Sequence, residues 1–285
     1  MASIALVTDS TADISQEVRD KLGISMVPLK VSFGEETFLD NITLQPAQFY
    51  QKLTAFTAGL PKTSTPSPAD FYEVFKKLTD EGRSVISVHL SSSLSGTYQA
   101  ALIAQSMLEG EGDVTVIDSK SASYGYGNQV VAAAEMAQTG ASKEEIIDEI
   151  HRLRGEMQLY FMVDTLEYLQ KGGRIGKASA VLGSLLNIKP ILSIDDDGSI
   201  FPVEKVRGTK RAMARITEMV ATHFQGAPVD VTVAVTPGYT SGVAEMAEML
   251  KNQLNIKRYL EAEIGPVVGT HAGPGTIGLF VTPAR

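Results

Sequence analysis

The chain has 285 residues, with 25 basic against 33 acidic side chains and a formal charge of −8. That length predicts two domains or one large α/β unit, and the acidic balance argues against nucleic acid or an anionic membrane surface as the main partner. The absence of cysteine excludes disulfides, thiolate nucleophiles and thiolate-bound zinc.

Residues 4–7 form an apolar run that predicts a buried strand, ending in Thr8-Asp9-Ser10-Thr11-Ala12-Asp13 before a helix over 15–22. Strands are expected over 24–33 and 36–39 around a Gly34 turn, then a helix over 46–56. Ser67, with Pro68 at the first helical position and Asp70 three residues on, marks another helix start. Phe71, Val74, Phe75 and Leu78 form the apolar face of that helix. Thr63, Ser64 and Thr65 precede the cap and are not needed for it, and Pro66 biases Thr65 to an extended conformation.

Residues 85–90 read as a strand running into Ser91, Ser92, Ser93, Ser95 and Thr97, with a helix over 98–108. A strand, polar turn and helix place the turn at the carboxyl edge of an open α/β sheet, where ligands bind. Ser95-Gly96 at the helix start offers free N–H groups and a positive dipole end to an anionic or accepting group. Capping explains any one serine, but four serines and a threonine within seven residues exceed what one helix start requires.

A strand over 114–117 and helices over 127–138 and 142–153 follow. Alternating strand and helix predict a wound, mostly parallel sheet. The composition shifts near Gly155, which divides the chain into domains 1–155 and 156–285. The second half opens with a strand over 159–163, a short helix over 164–170 and the basic connection Lys171-Gly172-Gly173-Arg174-Ile175-Gly176-Lys177. An apolar helix over 178–186 and a hairpin of 191–194 with 199–206 come next. Helices are expected over 209–224 and 241–254, and strands over 229–235, 259–264 and 278–281, the last two flanking a glycine-rich loop at 265–275.

Several motifs fail on context. Gly273-Pro274-Gly275-Thr276-Ile277-Gly278 fits the dinucleotide pattern, but only seven residues follow it. Gly176-Lys177 lacks the first glycine and the hydroxyl of a phosphate loop. The four histidines, His89, His151, His223 and His271, lack metal-ligand spacing, so no metal site is expected. Residues 1–9 lack signal-peptide character, and the greasy region 178–194 is interrupted by Asn187 and Lys189, so a cytoplasmic protein is expected. A serine hydrolase using Ser95 or Ser92 with His271 and an aspartate stays open, since triads are defined by geometry. Gly269, Gly273, Pro274 and Gly275 let His271 approach a ligand closely. Two hydroxyl clusters and a histidine, with Arg174 in a separate loop, suit a carboxylic head group better than catalysis.

The chain resembles the DegV family, bacterial fatty-acid-binding proteins that act as acyl-presenting subunits of fatty acid kinase. The matching motifs are V-T-D-S-T-A-D at 7–13, T-S-T-P-S-P at 63–68, L-S-S-S-L-S-G-T-Y-Q at 90–99 and Y-L-Q-K-G-G-R-I-G at 168–176. K-P-I-L at 189–192, E-K-V-R at 204–207 and I-G-P-V-V-G-T-H-A-G-P-G at 264–275 complete the set over essentially the whole length. Thr65 departs from the glutamine common in the family. The resemblance implies two α/β domains with one long-chain fatty acid, such as palmitate or oleate, buried between them, and no other cofactor. It implies that Thr63 and Ser95 bind the carboxylate, with His271, Ser92, Ser64 and Gly96 nearby. A separate ATP-binding kinase would phosphorylate the acid, with Arg174 and Arg207 facing that partner and only transient membrane contact. A C16 tail contributes roughly 11 kcal/mol at most, at about 0.8 kcal/mol per methylene. Directional hydroxyls can then hold the head group and leave its oxygens reachable, whereas a bidentate arginine clamp would compete with phosphoryl transfer.

Overall fold

The structure is a computed structural model that describes residues 3–183, 188–238 and 242–285. β1 (Ile4–Asp9) leads through a 3-10 turn, Ser10–Ala12, into α1 (Gln16–Leu22) and β2 (Ser25–Val27). β3 (Lys30–Phe33), β4 (Glu36–Leu39), α2 (Pro46–Ala55) and β5 (Lys62–Ser64) form an excursion from the main sheet. α3 (Pro68–Asp80), β6 (Ser84–His89), α4 (Thr97–Met107), β7 (Val114–Asp118), α5 (Tyr124–Gln138) and α6 (Lys143–Glu156) follow.

Strands β2-β1-β6-β7 form a parallel sheet, as the strand–helix alternation predicts. Both faces are covered, which is why β1 and β6 are buried almost throughout, their polar Thr8, Asp9, Ser87 and His89 included. Phe71 and Phe75 of α3 and Ala100, Ala101 and Ala104 of α4 pack one face. Val130, Ala133 and Ala134 of α5 pack the other. The predicted start of α3 is a capping box in which Asp70 N donates to Ser67 Oγ and Ser67 N donates back to Asp70 Oδ2.

The hairpin expected around Gly34 is β3–β4, but the single strand expected over 24–33 is split between the two sheets, and β5 was not foreseen. β4-β3-β5 are antiparallel, with Thr63 opposite Val31. β5 is three residues long and polar, so it carries no period that separates it from a loop. The first hydroxyl cluster therefore begins in a strand.

The second half is β8 (Gln158–Met162), α7 (Glu167–Lys171), a 3-10 segment at Gly176–Val181, β9 (Ile188–Ile194), β10 (Ile200–Arg207) and α8 (Thr209–Phe224). β11 (Pro228–Val235), α9 (Val243–Gln253), β12 (Asn255–Glu263), α10 (Pro266–Ala272) and β13 (Ile277–Pro283) complete it. The sheet order is β10-β9-β8-β13-β11-β12, antiparallel except for β11 with β12. α8 and α9 cover one face through Met213, Ile216, Val220, Met246 and Leu250. The other face looks toward the carboxyl edge of the parallel sheet, and the cavity described below lies between them.

Two expectations change. In place of the predicted helix over 178–186, the described part is the 3-10 segment at Gly176–Val181 between Gly176 at φ +53° and Gly183 at φ +74°; residues 184–187 lie outside the described residues. The expected loop at 265–275 contains α10. Pro266 at its first position and Gly273 at φ +79° just past its end are helix start and stop signals that its glycine content conceals.

The β9–β10 turn is held by the serine-rich loop after β6. Ser91 Oγ donates to Gly198 O at 2.9 Å, and Ser93 Oγ donates to Asp197 O at 2.6 Å. Arg154 Nη2 adds a bond to Asp195 O at 2.8 Å. Gly198 has φ +80°, and a Cβ there would run into Ser91 Oγ. Gly198→Ala should lower the melting temperature by about 4 °C or more. Gly82→Ala, with φ +74° but open space around it, should lose clearly less, and equal losses in calorimetry would remove the contact from this account.

Candidate functional site

Between the two sheets lies a cavity of about 940 Å³, part of it open to solvent. Leu90, Leu159, Phe161, Ile264 and Phe280 are among its apolar walls. The wall also carries Thr63, Ser64, Thr65, Ser95, Arg174 and His271. Three separate elements bring the head-group candidates together: β5 supplies Thr63, the turn before α4 supplies Ser95, and the last turn of α10 supplies His271.

His271 Nε2 lies 2.8 Å from Thr63 Oγ1, and its Nδ1 is buried without a partner. An orphaned buried N–H is rarer than an orphaned acceptor, so the ring proton is assigned to Nε2, which donates to Thr63 Oγ1. The Thr63 hydroxyl hydrogen is then free for a ligand. Burial, then the nearby Arg174 charge, pulls the His271 pKa down to about 4, so the ring is neutral at pH 7. Ser95 Oγ accepts from Thr97 N at 3.3 Å and lies 2.9 Å from Thr97 Oγ1. It too is placed to donate into the cavity.

Arg174, expected to face a partner, is half-buried and lines the cavity. Its Nε donates to Leu94 O at 3.1 Å and its Nη1 to Gly172 O at 2.7 Å. Ser92 is not part of the lining. It is exposed, and its N–H donates to Asp118 Oδ1 at 3.2 Å. Gly96 is the exposed N-cap of α4, also outside the lining, and Arg207 is exposed at the end of β10. The surplus of hydroxyls after β6 thus divides: Ser91 and Ser93 hold the β9–β10 turn, and Ser95 faces the cavity.

A set of buried acids behind the site escaped the sequence. Asp13 Oδ1 accepts from Gly265 N at 3.0 Å, its Oδ2 accepts from Ser123 Oγ at 2.5 Å, and Asp40 Oδ1 accepts from Val267 N at 3.3 Å. Two carboxylates from the first half therefore grip the start of α10, the helix that carries His271. Burial pushes Asp13 well above the ordinary carboxyl range, and pushes Asp40 to about 7. Asp9 differs. Burial raises its pKa, but bonds from His89, Thr11 and Tyr126 outweigh that and hold it below the ordinary value. The one visible signal was the acid-and-hydroxyl turn at 8–13; spacing does not show that its acids are buried.

The esterase alternative finds no support in this geometry. Neither Ser95 nor Ser92 is bonded to His271, whose Nδ1 has no carboxylate partner. A Ser–His–Asp chain does occur elsewhere: Ser87 Oγ lies 2.6 Å from His89 Nε2, and His89 Nδ1 lies 3.0 Å from Asp9 Oδ2. All three side chains are sealed in the core. Among the described residues no cluster of three or more acids and histidines suits a metal, and no helix is long and apolar enough to cross a membrane.

The signature of the family described as "uncharacterised protein, DegV family" matches residues 3–284. A DegV domain-containing protein of Halalkalibacterium halodurans is 41% identical over 280 residues, 98% of each chain. A fatty-acid-binding DegV family protein from Thermus thermophilus superposes with a TM-score of 0.92 at 37% identity, covering 99% of this chain and 100% of that one. DegV of Bacillus subtilis, a fatty acid binding protein, gives 0.89 at 36% identity with both chains fully covered. The chain belongs to the DegV family, and its α/β fold, a parallel sheet joined to a second, mixed sheet, is that family's fold.

The raised Asp40 pKa sets a pH dependence. Its folded pKa of about 7 exceeds the unfolded value of about 3.9. The stability it contributes is therefore full below about pH 4 and is lost as pH rises through about 7. Asp40→Asn keeps an oxygen for Val267 N and removes the charge. It should flatten that part of the stability–pH curve and raise the melting temperature at pH 8 by at least about 2 °C. A variant with an unaltered slope between pH 4 and 7 would show that Asp40 is ionised throughout.

Proposed function

We propose that this protein binds one long-chain fatty acid, such as palmitate or oleate, and presents its carboxylate to a separate ATP-dependent kinase that forms the acyl phosphate. The tail would occupy the cavity between a unit of residues 1–155 and a unit of residues 156–285. Thr63 and Ser95 would donate to the carboxylate, Ser64 would lie at its edge, and His271 would orient Thr63. Ser92 and Gly96 would act only through the loop that carries Ser95.

The observation that carries the proposal is the pairing of an apolar cavity with two hydroxyl donors and a neutral imidazole in its wall, with no aligned nucleophile among them. The fatty-acid binding of the Thermus and Bacillus relatives supports the same reading. Burial of the tail accounts for affinity, at about 0.8 kcal/mol per methylene. Arg174 supplies positive charge beside the carboxylate without a full fork, because Nε and Nη1 already serve backbone carbonyls. The carboxylate oxygens then stay reachable by an incoming phosphoryl group. Arg174, at the cavity, and Arg207, on the surface, would meet the kinase.

Gently purified protein should release a fatty acid on denaturing extraction, identified by mass spectrometry. An empty, folded protein that also rejects palmitate and oleate would overturn the proposal. Thr63→Ala with Ser95→Ala should weaken palmitate binding by roughly tenfold or more, the worth of one or two hydrogen bonds to a charged group, with little change in melting temperature. Unchanged occupancy in that pair would clear both hydroxyls of the role.

A further inference from the structure

The connection after α7 carries more than its arginine. A Cβ built on Gly172 would collide with His271 Nδ1, lie 3.3 Å from His271 Cε1 and sit 2.8 Å from the Tyr168 carbonyl oxygen. The torsions do not require glycine there, since φ −74° and ψ −10° suit any residue; what a side chain would meet is the Tyr168 carbonyl and the imidazole. The missing side chain makes room for an imidazole. On the ring's other nitrogen, Nε2 meets Thr63 Oγ1 at 2.8 Å, so the ring is held between Gly172 and Thr63. The Gly172 carbonyl accepts Arg174 Nη1 at 2.7 Å, and Arg174 Nε reaches Leu94 O at 3.1 Å, one residue before Ser95. One peptide unit thus touches the histidine and the arginine and, through the arginine, the serine-bearing turn.

We propose that Gly172 is the positioning residue of the head-group site, seating the His271 imidazole against Thr63 in a single tautomer and aiming the Arg174 guanidinium beside it. The role rests on reading the cavity as a fatty-acid site. With the glycine backbone against it, Nδ1 has neither a donor nor an acceptor in reach, so the proton stays on Nε2 and is spent on Thr63. A methyl group at 172 would displace the ring, lengthen the Thr63 contact and open Nδ1 to water. The two tautomers would then mix, and the Thr63 hydroxyl would lose its fixed direction. Gly173, by contrast, is glycine for its φ of +71° and has open space around it.

The test is a double-mutant cycle of Gly172→Ala and His271→Ala, read by palmitate affinity and by the ¹⁵N spectrum of the histidine rings. Gly172→Ala should weaken palmitate binding roughly tenfold and turn the His271 signals from one tautomer to a mixture. In the His271→Ala background the same change should add no more than about twofold, because the group it acts through is gone. The Tyr168 carbonyl contact is common to both backgrounds, so the cycle subtracts it. Should Gly172→Ala fail to fold, a double variant that recovers the fold shows that the ring, and not the Tyr168 carbonyl, is what the methyl group cannot meet. Gly155→Ala, in α6 with nothing within 4 Å, should leave affinity and spectrum unchanged. Additive losses, an unaltered His271 spectrum, or a double variant that stays unfolded would each overturn the role. Wild-type protein that takes no palmitate would instead defeat the fatty-acid reading, while the spectrum alone still decides whether Gly172 seats the ring.

Discussion

Helix α10 hangs from two buried carboxyl groups, and the geometry of the cavity wall follows from that suspension. The helix has seven residues, far below the length at which an isolated helix persists in water. Its position must come from outside. Asp13 and Asp40 supply it by accepting the N–H groups of Gly265 and Val267, donors that a helix start otherwise leaves without partners. Both acids belong to the first half of the chain and the helix to the second, so the bonds also join the two halves. The raised pKa values of the two acids are the cost of placing carboxyls where water does not reach.

Given a fixed α10, the proposed head-group site is assembled by contact rather than by a rigid frame of its own. His271 meets Thr63 on a three-residue strand, and Arg174 is tied to Leu94 beside Ser95. Each partner is short, polar and unable to hold a position alone; each is placed by the next. The same economy explains the serines after β6. Two of them bind carbonyls of the β9–β10 turn, and Ile194 and Ile200, on either side of that turn, line the cavity. Closing the wall and placing the Ser95 hydroxyl in it fall to neighbouring residues of one loop.

The buried Ser87–His89–Asp9 chain is instructive beside this site. Its distances match a catalytic triad, yet every member is inside the core. It continues from Asp9 to Thr11, which lines the cavity, and to Tyr126. Linked bonds of this kind fix a carboxylate at the edge of the parallel sheet and hold it ionised. Triad distances without access make a structural brace, whereas the accessible histidine lacks both a serine and an acid in line.

The sequence by itself determined the parallel sheet, the helix starts at Ser67 and Ser142, the β9–β10 hairpin and the family, because apolar period, capping residues and motifs are local properties of the chain. It also brought out Thr63, Ser95 and His271 as hydroxyls and a histidine in excess of what caps and turns need. It could not tell Ser92 from Ser95, since neighbouring residues of one turn point different ways, nor place Arg174 in the cavity wall. It read α10 as loop, because glycines at both ends masked a helix whose stability is borrowed from Asp13 and Asp40. The tertiary structure alone decided which acids are buried, which serines bind carbonyls, and that Gly172 faces His271. Those are contacts between residues from about 80 to 250 positions apart, and no local pattern records them.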